Sequence, residues 1–419
     1  MHFLLTTLGC KVNQYEGSGL TAELLKLGFT PVSDIESAAL FILNSCTVTE
    51  NSDRKTRQLL NSAKKKNPQV ITVLTGCFPQ AFPEQARSLA STLGADIICG
   101  TAERAKLPSL ITQFAKKRTA IDKIAPLSDV YEDFSGFNLN TGRTRAFIKI
   151  QDGCDCHCAY CIVPRARGNP RSRPLDGVRA EAQAAKNAGF KEIVLTGVNL
   201  TKYEFGLYEA VSLVAQYAER VRLSSVEPDL LTDETLEKLA SIKNLCPHFH
   251  LSLQSGSDGV LKRMERRYTA REYYEKTQKI RSLFSENCGL TTDMMTGFPG
   301  ETEEEFQESL DFARKVNFAK IHVFPFSVRA GTKAAEMENQ VPESVKRERR
   351  DRLLQTAEEM RQEFLTAQIG KTLSVLVEKE NFGHAENYVP VKVSNITAQK
   401  NEILRVEIIK TGDGFCVGK

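Results

Sequence analysis

From Phe3 to about Arg118, short apolar runs alternate with polar stretches of helical length. FLLTTLG, AALFILNS, VITVLTG and ADIICG are rich in β-branched residues, and each is long enough for one strand. Tyr15 to Leu27, Asp53 to Lys65 and Pro83 to Leu93 read as the helices between them. Such alternation predicts an α/β domain with an open, mostly parallel sheet. Lys116 to Arg118, followed by an irregular stretch from Pro126 to Thr144 with Gly136, Asn138, Asn140 and Gly142, reads as a linker.

A second alternating series begins at Arg145. AFIKIQ, EIVLTG, VRLSSVE, HFHLSLQ, GLTTDMMTG and AKIHVFPF are six strand candidates, most of them separated by amphipathic stretches. Thr232 or Asp233 ahead of Leu236, and Thr302 with Glu305, are capping signals for two of those helices. Six such units predict a barrel-like sheet short of the full eight, a partial (β/α)6 TIM-like barrel. Residues 343 to 368 form a charged helix, and after Gly370 the β-branched alternation predicts a small all-β module. The expected domains are residues 1–118, a linker at 119–140, a core at 141–369 and a β domain at 370–419.

Composition narrows the class. The 419 residues are 41% hydrophobic and 26% charged, with a net charge of +4, as in an ordinary globular chain. No run approaches the roughly 20 apolar residues of a membrane span, which excludes an integral membrane protein. The first ten residues read as a strand and not as a signal peptide, so a cytoplasmic location is expected. Eleven cysteines in such a chain suggest metal ligands or catalytic groups and not disulfides.

Their spacing carries the chemistry. In DGCDCHCAYCIVPRARG, Cys154, Cys158 and Cys161 make a CxxxCxxC directly after a strand, enough for three corners of a 4Fe-4S cluster with one iron left open. A zinc knuckle that also uses Cys156 is the competing reading. Cys10, Cys46 and Cys77 each end a predicted strand, and ligands in open α/β sheets bind at the carboxyl ends of strands, so these three propose a second cluster. Cys99 closes a further strand. Arg165, Arg167 and Arg171 follow the cysteine loop, where they could meet RNA phosphates or a substrate carboxylate, or simply form a solvated loop.

TLGCKVNQYE, NSCTVT, TGC, DGC with its two following cysteines, LTGVNL, HLSLQSGSD and GFPGET occur in an order that resembles the radical S-adenosylmethionine methylthiotransferases over nearly the whole chain. Lys11, Val12 and Asn13 after Cys10 resemble the type acting on N6-threonylcarbamoyladenosine in tRNA. The resemblance implies two 4Fe-4S clusters, one on Cys154, Cys158 and Cys161 that binds S-adenosylmethionine and an auxiliary one on Cys10, Cys46 and Cys77. It implies a deoxyadenosyl radical that removes hydrogen from C2 of the adenine at tRNA position 37, and a 2-methylthio product. It places cofactor contacts at Thr196, Gly197, Asn199, Ser225, Glu227, Gln254, Ser255, Asp293, Gly297 and Phe324. The implied partners are the tRNA anticodon loop and an electron-donor protein, and the terminal module resembles a TRAM domain. Phe382, His384 and Tyr388 are its candidate stacking residues, although seven basic residues against six acidic ones from Lys371 onward give it little electrostatic bias toward RNA. Isopentenyladenosine or a ribosomal-protein aspartate as substrate, or a non-catalytic zinc-bearing RNA-binding protein, are the alternatives.

Overall fold

In the computed structural model, which describes residues 1–133, 142–394 and 397–419, the first apolar runs become neighbouring parallel strands. β1 (His2–Thr7), β2 (Thr30–Pro31), β3 (Leu40–Ser45), β4 (Ile71–Gly76), β5 (Ile97–Cys99) and β6 (Ile121–Lys123) lie in the order β2-β1-β3-β4-β5-β6. β3 and β4 are buried along their whole length, as central parallel strands covered on both faces must be. Helix Glu50–Lys66 starts three residues before its expected position because Thr49 caps it, its hydroxyl accepting from Ser52 N. Lys64, Lys65 and Lys66 then lie at the negative end of the helix dipole. β2, β6 and helix Leu107–Lys117 escaped the sequence pattern. The two strands are too short to show a period, and β6 falls in the stretch expected to be linker. Gly136, Asn138 and Asn140 lie outside the described residues.

The chain divides into two compact units, Met1–Thr141 with Gln151–Arg173 and Ser327–Ala335, and Gly142–Ile150 with Pro174–Phe326 and Glu336–Lys419. In the first, Phe41, Leu43, Leu74, Phe78, Ile162 and Ala166 share one core, so the cysteine-bearing loop after Gln151 packs with the N-terminal sheet.

In the second unit, strands Arg145–Lys149, Glu192–Thr196 and Arg220–Leu223 form one parallel sheet, and Ser225–Val226, His248–Leu251, Gly289–Thr296 and Lys320–Pro325 form another. The third expected strand is interrupted at Ser224, and its two parts serve the two sheets. The capping box of Thr302 with Glu305 is present, and Thr269 with Glu272 forms another. The last residues form a closed five-stranded barrel around Val375, Val391, Val393, Val406 and Cys416. Its final strand, Cys416–Gly418, pairs on both sides. Among the described residues no helix is long and apolar enough to cross a membrane.

One buried carboxylate organises this unit. Glu192 is fully buried and accepts from Arg145 Nε and Arg222 Nε, both at 2.7 Å, with Arg220 at 3.7 Å. Arg145 also reaches Glu378 at 2.6 Å, and Arg222 donates to the carbonyls of Ala385 and Glu386, which ties the strands to the terminal barrel. Tyr388 lies under both guanidiniums, and its ring stacks on His384 at 4.8 Å. These two aromatics are therefore occupied within the unit and are not free stacking platforms for RNA. Burial would raise the Glu192 carboxyl, but the three arginines more than offset it and take it down to about 2.

A folded-state value below the ordinary 4.5 stabilises the protein above that pH, and the contribution is lost as pH falls from 4.5 toward about 2. Glu192→Gln strands the arginines and costs ~3–5 kcal/mol. Acid titration followed by circular dichroism checks this: the variant lacks the wild-type dependence in that window.

Candidate functional site

Register brings the first three cysteines together. Thr7 pairs with Asn44, Asn44 with Thr75, and Ser45 with Gly76, so Cys10, Cys46 and Cys77 leave the same end of three adjacent strands. Gly9 has φ +93°, and a Cβ there would lie 2.6 Å from Cys46 Cβ and 2.7 Å from its Sγ. Only glycine lets the loop carrying Cys10 close onto Cys46. Cys46 and Cys77 are buried while Cys10 is exposed, so the trio has one open side. Burial raises the Cys46 thiol and pushes Cys77 up to about 12; the nearby Cys10 adds to both shifts, and the Arg167 cation opposes them. Three thiols in electrostatic contact, two of them costly to ionise alone, suit a group that supplies its own positive charge. An iron-sulfur cluster fits that donor set.

Asn13 holds this end of the sheet. Its Nδ2 donates to Leu8 O at 2.8 Å and Ser45 O at 3.0 Å, its own carbonyl accepts from Asn44 Nδ2, and Cys77 Sγ lies 3.6 Å from its Oδ1. Arg167 donates to the same Oδ1 at 2.5 Å, to both oxygens of Glu16 at 2.8 Å and to Asp152 Oδ1 at 2.9 Å. Arg104 adds a second cation to Glu16 at 2.6 Å. All four charged groups are buried, and Arg167 stays charged despite its burial because Asp152, Cys77 and Glu16 surround it. The sequence marked Asn13 and Glu16 only as parts of the motif TLGCKVNQYE and gave no sign of Arg104.

The second cysteine set lies in the same unit. Gly153, with φ +76°, passes so close to Asn169 O that a Cβ would lie 1.9 Å away, and Cys154 N donates to Gly168 O at 2.9 Å. Cys161 N donates to Cys158 O, which closes the loop into helix Val163–Arg167. Cys154, Cys156, Cys158 and Cys161 are all half-buried. The ligand atoms of Cys154, Asp155 and Cys156 lie within 4.8 Å of one another. Cys158 and Cys161 belong to no such group of three among the described residues.

The three loop arginines separate. Arg167 is consumed by the buried network, and Arg171 donates to Ser128 O and Arg167 O, so neither presents its guanidinium to an RNA phosphate. Arg165 is exposed, 5.3 Å above the Phe82 ring.

In the second unit, Thr196 and Asn199 are buried at and after a strand end, and Gly197 lies between them half-buried. Glu227, just beyond Ser225–Val226, pairs with Arg266; burial raises its carboxyl and Arg266 opposes the rise. Gln254 has φ +70°, its backbone is fixed by Asp293 O and Met295 N, and its buried Oε1 has no partner among the described residues. An orphaned acceptor of this kind fits a ligand with donors, as S-adenosylmethionine is. The Ser255 hydroxyl is held by Ser309 and Ser257 N. Gly297 is explained by packing, since a Cβ would meet Lys346 Cγ at 2.3 Å. Phe324 is half-buried opposite Met295, and Asp293 lies opposite His322.

Residues 2–100 match the family described as uncharacterized protein family UPF0004, and residues 148–313 match the radical SAM superfamily. Proteins named threonylcarbamoyladenosine tRNA methylthiotransferase MtaB are 33–39% identical over 89–100% of this chain. The Bacillus subtilis protein is 36% identical over 99% of this chain and 95% of its own length. A Clostridium botulinum protein named tRNA-2-methylthio-N(6)-dimethylallyladenosine synthase is 35% identical over 100% of this chain and 96% of its own. The fold is similar to that of the radical S-adenosylmethionine methyltransferase TsrM from Kitasatospora setae, with TM-score 0.61 and 15% identity over 80% of this chain and 77% of that one.

Arg167→Leu leaves Asp152 without its closest cation in a buried setting, and thermal denaturation is expected to register a loss of ~3–5 kcal/mol. Arg167→Lys recovers little of it, because one ammonium cannot span Glu16, Asp152 and Asn13 as a planar guanidinium does.

Proposed function

The chain belongs to the radical S-adenosylmethionine methylthiotransferases, and we propose from that membership that it converts N6-threonylcarbamoyladenosine at position 37 of tRNA to its 2-methylthio form. The observation that carries this reading is near full-length similarity to the MtaB proteins, together with six cysteines in two sets of three. The dimethylallyladenosine enzymes also align along the chain, so the substrate rests on the group of relatives named for threonylcarbamoyladenosine.

Cys154, Cys158 and Cys161 hold one 4Fe-4S cluster in this proposal, and Cys10, Cys46 and Cys77 hold the other. When bound, these clusters and S-adenosylmethionine supply the electron, the radical, the sulfur and the methyl group. The protein's own residues bind and orient. Gln254 Oε1 accepts from the cofactor, Glu227 is fixed by Arg266 to receive a polar group, and Thr196, Gly197, Asn199, Ser225 and Phe324 complete the contacts. Arg167 holds positive charge beside the thiolates of Cys46 and Cys77. Arg165, exposed on helix Val163–Arg167, meets the RNA backbone. An anticodon-loop adenine is already unpaired, which lowers the cost of presenting it. A separate protein donates the electron, and the location is the cytoplasm.

The test is mass spectrometry of nucleosides from tRNA treated anaerobically with the reconstituted protein, S-adenosylmethionine and a reductant. Threonylcarbamoyl-modified tRNA gains a methylthio group and isopentenyl-modified tRNA does not; the reverse outcome reassigns the substrate. Iron content decides the ligand register: Cys158→Ser loses one cluster, whereas Cys156→Ser keeps the iron of the wild type. A Cys156→Ser protein short of iron would show that the loop uses Cys156 instead.

A further inference from the structure

Three neighbouring strands of the second unit place an imidazole, a carboxylate and a second imidazole side by side. His250 lies on His248–Leu251, Asp293 on Gly289–Thr296 and His322 on Lys320–Pro325, which are consecutive in the sheet. His250 pairs with Thr291 and Asp293 with His322. Thr291 and Asp293 are two residues apart, so all of these side chains project from one face of the sheet. The opposite face carries Phe249, Leu290 and Met294, all buried in the core. One ligand atom from each of His250, Asp293 and His322 lies within 4.8 Å of the others.

The surroundings suit a ligand set. His250 Nδ1 lies 3.0 Å from Thr291 Oγ1, which fixes the ring and turns Nε2 toward Asp293 Oδ2 at 3.4 Å. A metal-binding imidazole characteristically has such a partner on its other nitrogen. The His250 and His322 rings are 5.8 Å apart at 49°, so they converge without stacking flat. Side-chain exposure is 12% for His250 and 34% for Asp293, and His322 is exposed, which leaves a path for an ion from solvent. Metal–ligand bonds of about 2.1 Å require ligand atoms roughly 3.3 Å apart. Small side-chain rotations reach that from the present spacing.

We propose that His250, Asp293 and His322 form a divalent transition-metal site with open coordination positions. Two imidazoles and one carboxylate favour zinc or ferrous iron over calcium or magnesium. Among the described residues the ligand group holds no cysteine. An ordinary His250–Asp293 ion pair beside a separately held His322 is the competing account.

The experiment uses the full chain with both clusters loaded, incubated anaerobically with zinc chloride and desalted before elemental analysis. The wild type is expected to retain one zinc per chain more than a His250→Ala/His322→Ala variant, with equal iron and sulfide in the two proteins. Zinc K-edge absorption shows nitrogen and oxygen ligands. Zinc also raises the Tm of the wild type, by linkage, but not that of His322→Ala. His322 is exposed, so that single variant keeps the comparison open should the double variant misfold. Equal zinc in wild type and variants, no retained zinc, or a sulfur-ligated edge spectrum each overturns the proposal.

Discussion

Burying a guanidinium is unfavourable unless its surroundings return what water provided, and the first unit is arranged around one such group. Arg167 meets Glu16 through two nitrogens, Asp152 through one and Asn13 through another, all between 2.5 and 2.9 Å. Its partners come from the helix that follows Cys10 and from the strand that leads to Cys154. The same cation therefore fixes the approaches to both cysteine sets. Replacing it by an apolar side chain would not restore a neutral core, because Glu16 and Asp152 would remain.

The thiols show why such a cation is placed there. Burial pushes Cys77 up to about 12 and raises Cys46, so both are protonated at neutral pH when nothing is bound. On the proposed ligand assignment, loading a cluster displaces those protons, which makes assembly more favourable as pH rises. Arg167 reduces the cost by stabilising the thiolate form. Gly9 and the Asn13 side chain act on geometry instead, closing the loops so that three thiols from distant parts of the chain come within electrostatic reach of one another. Charge and shape are thus supplied from different parts of the chain, Arg167 from the segment after Cys161 and Gly9 and Asn13 from the motif around Cys10.

Much of this was legible before any coordinates. Alternating apolar runs announced the parallel strands of both units, though not the division of the second series into two sheets. The position of Cys10, Cys46 and Cys77 at strand ends announced that they leave one edge, because parallel strands send all their carboxyl ends to one edge. The capping box at Thr302 and Glu305 was readable for the same local reason. What escaped depends on contacts between distant residues. Nothing near Arg167 in sequence marks it as buried; its partners Asn13 and Glu16 are more than 150 positions away. Gly297 and Ser255 resembled cofactor contacts by motif, yet Lys346 and Ser309, each on a later helix, account for them through packing. Tyr388 and His384 resembled RNA platforms, and the arginines that occupy Tyr388 come from strands more than 150 residues earlier.

Chain order and packing also disagree at an informative place. Strand Arg145–Lys149 belongs to the second unit, Gln151–Arg173 to the first, and the chain returns to the second at Pro174. The loop carrying Cys154 to Cys161 thus packs with the sheet that carries Cys10, Cys46 and Cys77, and Ile162 and Ala166 join Phe78 in one core. The geometry relating the two cysteine sets is therefore internal to one unit, set by that apolar contact and by Arg167. Two clusters that must act on the same adenine need a fixed mutual placement more than either needs a fixed placement on its own, since a displacement of about 1 Å between reacting groups can cost a hundredfold in rate. Housing both cysteine sets in one unit, with Ile162 and Ala166 in the same core as Phe78, meets that requirement.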